Sequence, residues 1–438
     1  MSDLIAKTLD RIDQNHNPEL PLDGDLTLPY YDGLSLVNLP GTVARLLGAP
    51  AFGRPPLDES LLEALGGPYK KVVFLLVDAL GYTLLSRLMA DVPGLVWSEL
   101  REKGVFAPIT SVCPSTTASA LTTLWTGAAP ACHGIIGYEM WAKEYGVVMN
   151  NILHSPAMAR GDVGGLTRMG FSPHDFLNRP LLGTHLLENG IRPTAFIHYS
   201  IAHSGLSVMQ MEDVDLKPYV DEADLSITLA DFLNGRAGER DYVYVYYSDV
   251  DTLMHRFSAD DERVELQFTA FSDLFRKGFL DRLSPEAAEE TVLILAADHG
   301  SKLTEIDPRY DLANHPELKS YLVMQPTCEH RLTFFYTKPG MADAVRAYIE
   351  RTWPGEFLVL ESQAALKAGL FGEGGIKEQA PDRVGDLIAV ARGGAYFWWA
   401  PTPNHMLGRH GGLSREEMLV PFLAVPLGRC AEPAQPGG

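Results

Sequence analysis

Three apolar runs in this 438-residue chain end in, or run into, aspartate. VVFLLVD (72–78) reaches Asp78, YVYVYYSD (242–249) leads through Asp249 to Asp251, and TVLILAAD (291–298) ends on Asp298. Histidines stand beside them. Asp251 and His255 lie one helical turn apart, on one face. Asp298 is followed by His299 and Gly300, and His410 lies in GRHGG (408–412). Carboxylate plus imidazole is the donor set that zinc favours and that manganese or iron accept. Each group alone has a plainer use, as a helix cap or a surface residue. Taken together, three Asp and three His at the ends of such runs fit a site for two divalent metal ions. Two metals about 3.5–4 Å apart clamp the attacking and leaving oxygens of a phosphoryl displacement.

The stretch CPSTTASALTTLWTG (113–127) offers the hydroxyls. A Pro opens it, a Gly closes it, and Ala118, Leu121 and Trp125 recur at helical spacing. It reads as a turn and a short helix with Ser115, Thr116 or Thr117 near its start. Beside a metal site, a hydroxyl there has a cation to lower its pKa and a helix dipole that favours anions. Residue types alone leave the three hydroxyls open.

Such groups need strands that end together. Short, continuous, β-branched runs between helical patterns are the mark of a buried, mostly parallel sheet, and TAFIHYS (194–200), RLTFFYT (331–337) and DLIAVA (386–391) extend the series. The class is α/β, with the chemistry expected beyond the carboxyl ends of the strands. We divide the chain into a lead-in (1–70), a catalytic core (71–303) with a cap at 139–182, a small inserted α/β lobe (304–380) and a return to the core with a C-terminal tail (381–438). The lobe is drawn around RLTFFYT, the helix MADAVRAYIERTW and the strand EFLVLES.

With 36 basic and 56 acidic residues the net charge is −20, which argues against a nucleic acid duplex or an anionic membrane as partner. A small phosphorylated substrate stays open, because bound dications reverse the local field. The N-terminal residues lack the apolar core of a signal peptide, no run reaches membrane-spanning length, and the four scattered Cys form neither a disulfide framework nor a zinc ribbon. The expected location is the cytoplasm. The sequence leaves the oligomeric state open.

The order VDALG, PSTTASALTTLWTG with PACHGI, DVDTLMH, ADHG and GRHGG resembles the alkaline phosphatase superfamily, over about 71–425 outside the inserted lobe. The resemblance is strongest to its nucleotide pyrophosphatase/phosphodiesterase branch and the related phosphonoacetate hydrolases. It implies an alkaline-phosphatase-like core whose central sheet is flanked by helices. In that family the nucleophile stands nine residues before the Thr of a Thr-Gly pair, and counting back from Thr126 gives Thr117. By the same resemblance one metal is held by Asp78, Thr117, Asp298 and His299, and the other by Asp251, His255 and His410. Zinc is implied at both. The implied reaction is hydrolysis of a small-molecule phosphodiester or pyrophosphate bond. It runs through in-line attack by Thr117, a phosphothreonine intermediate, and hydrolysis by a water at the second metal.

The chain departs from the branch at one place. Where the branch has Phe-Pro-Asn after the nucleophile, this chain has Ala118, Ser119 and Ala120, so the Asn that binds a non-bridging phosphate oxygen is absent. Asn150, Asn151 or Lys302 are the positions from which a replacement contact is expected. Phosphomonoesterase or phosphonate hydrolase activity is the alternative. A phosphomutase would need a large domain between the metal-binding halves, and an inactive binding protein would need lost ligands, whereas all seven positions carry competent side chains. His133 is expected to order a turn, Asp249 to support its neighbours, and His405 is the rival of His410. The Tyr-rich strand reads as core. Cys113 lacks the Arg of a sulfatase motif.

Overall fold

A computed structural model describes residues 2–430 except Arg160. Its central sheet has seven strands, in the order Val105–Thr110, Leu419–Pro426, Thr291–Ala296, Lys71–Val77, Asp241–Tyr247, Arg192–His198, Asp215–Tyr219. Leu419–Pro426 runs antiparallel to both neighbours, and the remaining direct pairings are parallel. The three middle parallel strands are buried along their whole length. That is why they read as unbroken apolar runs rather than alternating ones. The register sets Val77 beside Tyr247 and Leu76 beside Ala296, so the chain leaves all three strands at one level. Asp78, Asp251 and Asp298 follow at that level. Helices flank the sheet. Tyr82–Asp91, Val96–Lys103 and Glu262–Gly278 are among them, and Trp97 donates its indole N–H to Ser272 at 2.8 Å across the second and third of these.

A second sheet of seven strands changes the division drawn from sequence. Its order is Phe357–Glu361, Leu387–Ala391, Leu332–Phe335, Thr327–Glu329, Glu139–Ala142, Val147–Asn150, Ser155–Pro156, with antiparallel neighbours throughout. The segments treated as a separate cap and inserted lobe therefore share one sheet. Leu387–Ala391, expected with the return to the core, lies between Leu332–Phe335 and Phe357–Glu361 instead. A short buried apolar run looks the same in either sheet, so only its pairing could assign it. The lead-in also does more than precede the core. Arg54 N–H bonds the Gly127 carbonyl at 3.0 Å, and a Cβ on Gly53 would lie 2.5 Å from Gly127 Cα. That close approach requires glycine, and it holds the C-terminal end of the helix Thr117–Thr126.

One buried ion pair ties the second sheet to the core. Arg331, at the start of Leu332–Phe335, donates to both Glu417 oxygens at 2.9 and 3.0 Å and to the carbonyls of Gly393 and Ala395, and both side chains are fully buried. Glu417 also accepts from the Gly412 and Ser414 amides, which fixes the loop after His410. Removing one partner of such a pair leaves a buried charge unmatched. Arg331→Ala is expected to lose about 3–5 kcal/mol of stability, read by equilibrium urea unfolding.

Candidate metal centre and nucleophile

Four chain segments converge beyond the carboxyl ends of the central strands. Asp78 follows Lys71–Val77, and Asp298 and His299 follow Thr291–Ala296. Asp251 and His255 sit on the helix Asp249–Phe257, and His410 follows the short strand Gly408–Arg409. Two compact groups of donor atoms result: Asp78 with Asp298 and His299, and Asp251 with His299 and His410. His299 Nε2 stands 3.5 Å from an oxygen of Asp78 and 3.5 Å from one of Asp298. His255 Nε2 is 3.3 Å from Asp251, and His410 Nε2 is 4.0 Å from its other oxygen. The His299 and His410 rings stack at 3.8 Å.

Each imidazole is oriented the same way. His255 Nδ1 meets the Gly408 carbonyl at 3.0 Å, His299 Nδ1 that of Gly300 at 2.9 Å, and His410 Nδ1 that of Ser115 at 3.2 Å. A proton on Nδ1 leaves Nε2 as the lone-pair nitrogen, and in all three rings Nε2 faces the carboxylates. This is the outer support that metal-binding histidines use. Two carboxylates are also held by one oxygen. The Tyr246 hydroxyl donates to Asp78 Oδ2, and the Ala79 and His299 amides donate to Asp298 Oδ1 at 3.1 and 3.0 Å. Asp78 Oδ1, Asp298 Oδ2 and Asp251 Oδ1 are buried with no hydrogen-bond partner among the described residues. Buried oxygens of this kind cost free energy unless a ligand meets them. The donor types and these orphaned oxygens fit divalent cations.

The electrostatics reflect the same crowding of buried charge. Burial, then the nearby Asp298 and Asp251, push the Asp78 carboxyl well above its usual range. Burial and the neighbouring His299 hold His410 well below the usual imidazole value. Burial would lower His255 too, but the Asp251 carboxylate and the Gly408 carbonyl outweigh it and lift His255 to about 9. Burial would raise Asp251, but His255, His410 and His299 together pull it down.

The hydroxyls of the 113–127 stretch sort by partner. Ser115 Oγ donates to the Gly412 carbonyl at 2.7 Å, Thr116 Oγ1 to Glu329 at 2.5 Å, and Ser119 Oγ accepts from Gly137 N–H at 3.0 Å. Thr117, first residue of the helix Thr117–Thr126, is the one that faces the cluster, with Oγ1 3.2 Å from His299 Nε2. His405 and Asp249 lie outside both donor groups, and so does the expected ligand His255, although its Nε2 is 3.3 Å from Asp251; His299 takes its place beside Asp251 and His410. His133 bridges Thr123 Oγ1 and the Ile135 amide at 3.1 and 3.0 Å, the turn-ordering expected of it. Sequence reasoning missed two residues. Tyr246 was read as core, and its alternation with Tyr242 and Tyr244 carried no sign that it meets Asp78. Glu329 stands in a strand-like run with no motif around it. Burial pushes its carboxyl up to about 8, partly countered by the Thr116 hydrogen bond.

The pattern of the type I phosphodiesterase/nucleotide pyrophosphatase family matches residues 72–413. The chain belongs to this family. No curated protein sequence matches it. Among solved structures, murine ectonucleotide pyrophosphatase/phosphodiesterase 5 shares 18% identity at a TM-score of 0.58, covering 81% of this chain and 88% of that one. The human protein shares 17% at 0.61, covering 81% and 87%. Phosphonoacetate hydrolase from Sinorhizobium meliloti 1021, in complex with phosphonoacetate, shares 16% at 0.58, covering 84% and 91%. These likenesses show the alkaline-phosphatase-like fold. As a member of the type I phosphodiesterase family, the protein is a hydrolase of phosphoric ester bonds.

The structure engages part of each side chain from which a replacement for the absent Asn is expected. Asn150 Oδ1 accepts from the Ile152 and Leu153 amides, Asn151 Nδ2 donates to Gly137, and Lys302 pairs with Glu416. Tyr246 matters more, since it fixes which Asp78 oxygen is free. Tyr246→Phe is expected to weaken zinc affinity about tenfold, measured by competition with a chromogenic chelator.

Proposed function

We propose that the protein hydrolyses a small-molecule phosphodiester or pyrophosphate bond at a two-metal site, with Thr117 as nucleophile. The observation that carries this is the Thr117 hydroxyl at a helix N-terminus, 3.2 Å from His299, beside buried carboxylate oxygens that have no hydrogen-bond partner among the described residues. Asp78, Thr117, Asp298 and His299 would hold one cation, and Asp251, His255 and His410 the other. Zinc suits this donor set best, with manganese or iron as substitutes. Bound there, the cations would neutralise the carboxylates and favour the ionised form of the Thr117 hydroxyl.

Thr117 Oγ then forms a bond to phosphorus as the opposite P–O bond breaks, and the leaving oxygen takes up a proton. The helix dipole at Thr117 favours the gathering negative charge. Water cleaves the phosphothreonine, restoring the hydroxyl and releasing the phosphorylated product. The murine relative's inactive variant was solved with AMP, which supports a small phosphorylated ligand here. Ala120 in place of the branch's Asn favours a second reading, a phosphomonoesterase or phosphonate hydrolase, and the phosphonoacetate-bound relative supports it. Among the described residues no helix is long and apolar enough to cross a membrane. We place the protein in the cytoplasm, a reading its four free thiols support.

Zinc-loaded protein assayed on bis(p-nitrophenyl) phosphate and on p-nitrophenyl phosphate separates the two readings. The diester is expected to be the better substrate, and Thr117→Ala to lose about a thousandfold or more of kcat. A faster monoester would move the protein to the second reading. Full activity in Thr117→Ala would remove the nucleophile assignment.

A further inference from the structure

The lead-in carries a cation with nothing to hold. Arg54 is half-buried and its Nε is buried without an acceptor. Among the described residues no hydrogen bond, ion pair or ring contact engages its guanidinium. The other cations around the short helix Pro130–His133 are all engaged. Arg179 donates to the Cys132 carbonyl, Arg383 to the Gly134 carbonyl and to Glu144, and Lys377 to the carbonyls of Phe176 and Leu177. Those three serve carbonyls at helix ends, where cations are favoured. Arg54 uses only its backbone amide, toward the Gly127 carbonyl at 3.0 Å. A buried guanidinium N–H without an acceptor costs free energy that a ligand can return.

Arg54 lines a cavity of about 580 Å³ between the lead-in and the segment 368–373, with Asn15, Tyr31, Asp32, Asn38 and Glu373 also in its wall. None of these residues belongs to the metal centre. The Cys132 thiol holds the far wall, donating to the Glu373 and Gly375 carbonyls at 3.3 and 2.9 Å. A Cβ on Gly374 would lie 3.8 Å from Arg54 Nη1, so that loop stands beside the guanidinium. The cavity also touches both ends of the 113–127 stretch. Tyr31 accepts from the Cys113 amide at 3.2 Å and donates to the Leu370 carbonyl at 3.1 Å, while Arg54 holds Gly127. A guanidinium fork meets two oxygens of a carboxylate or phosphate at once. Asp32 and Glu373 are exposed and form no ion pair with Arg54. Their charge restricts the guest to a small oxyanion of single charge. The volume suits a metabolite.

We propose that Arg54 and this cavity bind a small oxyanion, a carboxylate or a singly charged phosphate, at a site separate from the metal centre. Its occupant braces Tyr31 and Arg54, and through them the Cys113 amide and the Gly127 carbonyl that frame the helix Thr117–Thr126. The site is thus placed to report an anion's presence to the helix that bears Thr117. It stands whether or not Thr117 is the nucleophile.

The test is hydrogen–deuterium exchange of the full chain, followed by mass spectrometry, in acetate or in orthophosphate against chloride at matched ionic strength. A ligand present at its Kd already halves local opening, so exchange at the Arg54 and Cys113 amides is expected to slow about twofold or more. Slowing in acetate makes the guest a carboxylate, and slowing in orthophosphate alone makes it a phosphate. Arg54→Gln is expected to abolish the slowing at both amides. Slowing that survives in Arg54→Gln arises elsewhere, at the metal centre, and overturns the proposal. No slowing of the wild type in either anion overturns it as well. If Arg54→Gln fails to fold, Glu373→Gln decides: it removes a carboxylate from the cavity wall and has to strengthen the slowing. An unchanged or weaker response in that variant overturns the proposal.

Discussion

Three carboxylates that share one buried site cannot all keep their charge unless a cation joins them. Asp78, Asp251 and Asp298 each present an oxygen with no hydrogen-bond partner among the described residues, and the upward push on Asp78 comes from burial and from the other two. Three imidazoles surround them, yet two of these are themselves buried against one another. No guanidinium or ammonium forms an ion pair with any of the three among the described residues. A folded chain accepts that arrangement only where a ligand repays it. The free energy withheld here is what makes the site ready for divalent cations.

The rest of the architecture holds those groups at one level. Parallel strands in register bring Asp78 and Asp298 to adjacent strand ends, and the helix after Asp241–Tyr247 carries Asp251 and His255. His410 needs a different support, since it lies on a loop far along the chain. That loop is pinned by Glu417 to its own amides and to Arg331 of the second sheet. The second sheet thus serves the centre twice, through Arg331 at one strand and Glu329 at the next.

The legible part of this sequence is the part where local pattern and burial coincide. Fully buried parallel strands announce themselves as continuous apolar runs, and a charged residue at their ends is conspicuous for that reason. Asp78, Asp298 with His299, Asp251 with His255, and the Gly-framed His410 all carry that contrast. The second sheet was not legible, because its joining step pairs Glu139 with Cys328, nearly two hundred residues apart in the chain and without a local signal. The same long-range pairing hid Glu329. Asn150 and Lys302 stand where local pattern is silent, and only the structure shows that Asn150 Oδ1 accepts from the Ile152 amide and that Lys302 pairs with Glu416. Residue types could not choose among Ser115, Thr116 and Thr117, since all three hydroxyls suit a helix start equally well; only the family resemblance, counted back from Thr126, named Thr117.

A protein of net charge −20 that handles a phosphate ester has to build positive potential locally. Side-chain cations do little of that work at this centre, where the arginine nearest the histidine loop, Arg409, is bonded to Thr304, Met406 and Asn404. What remains is the dipole of the helix that begins at Thr117 and the cations that the donor groups could hold. The dipole at the start of the helix Thr117–Thr126 is fixed by the backbone, so it acts on a gathering negative charge without any side chain having to be ordered.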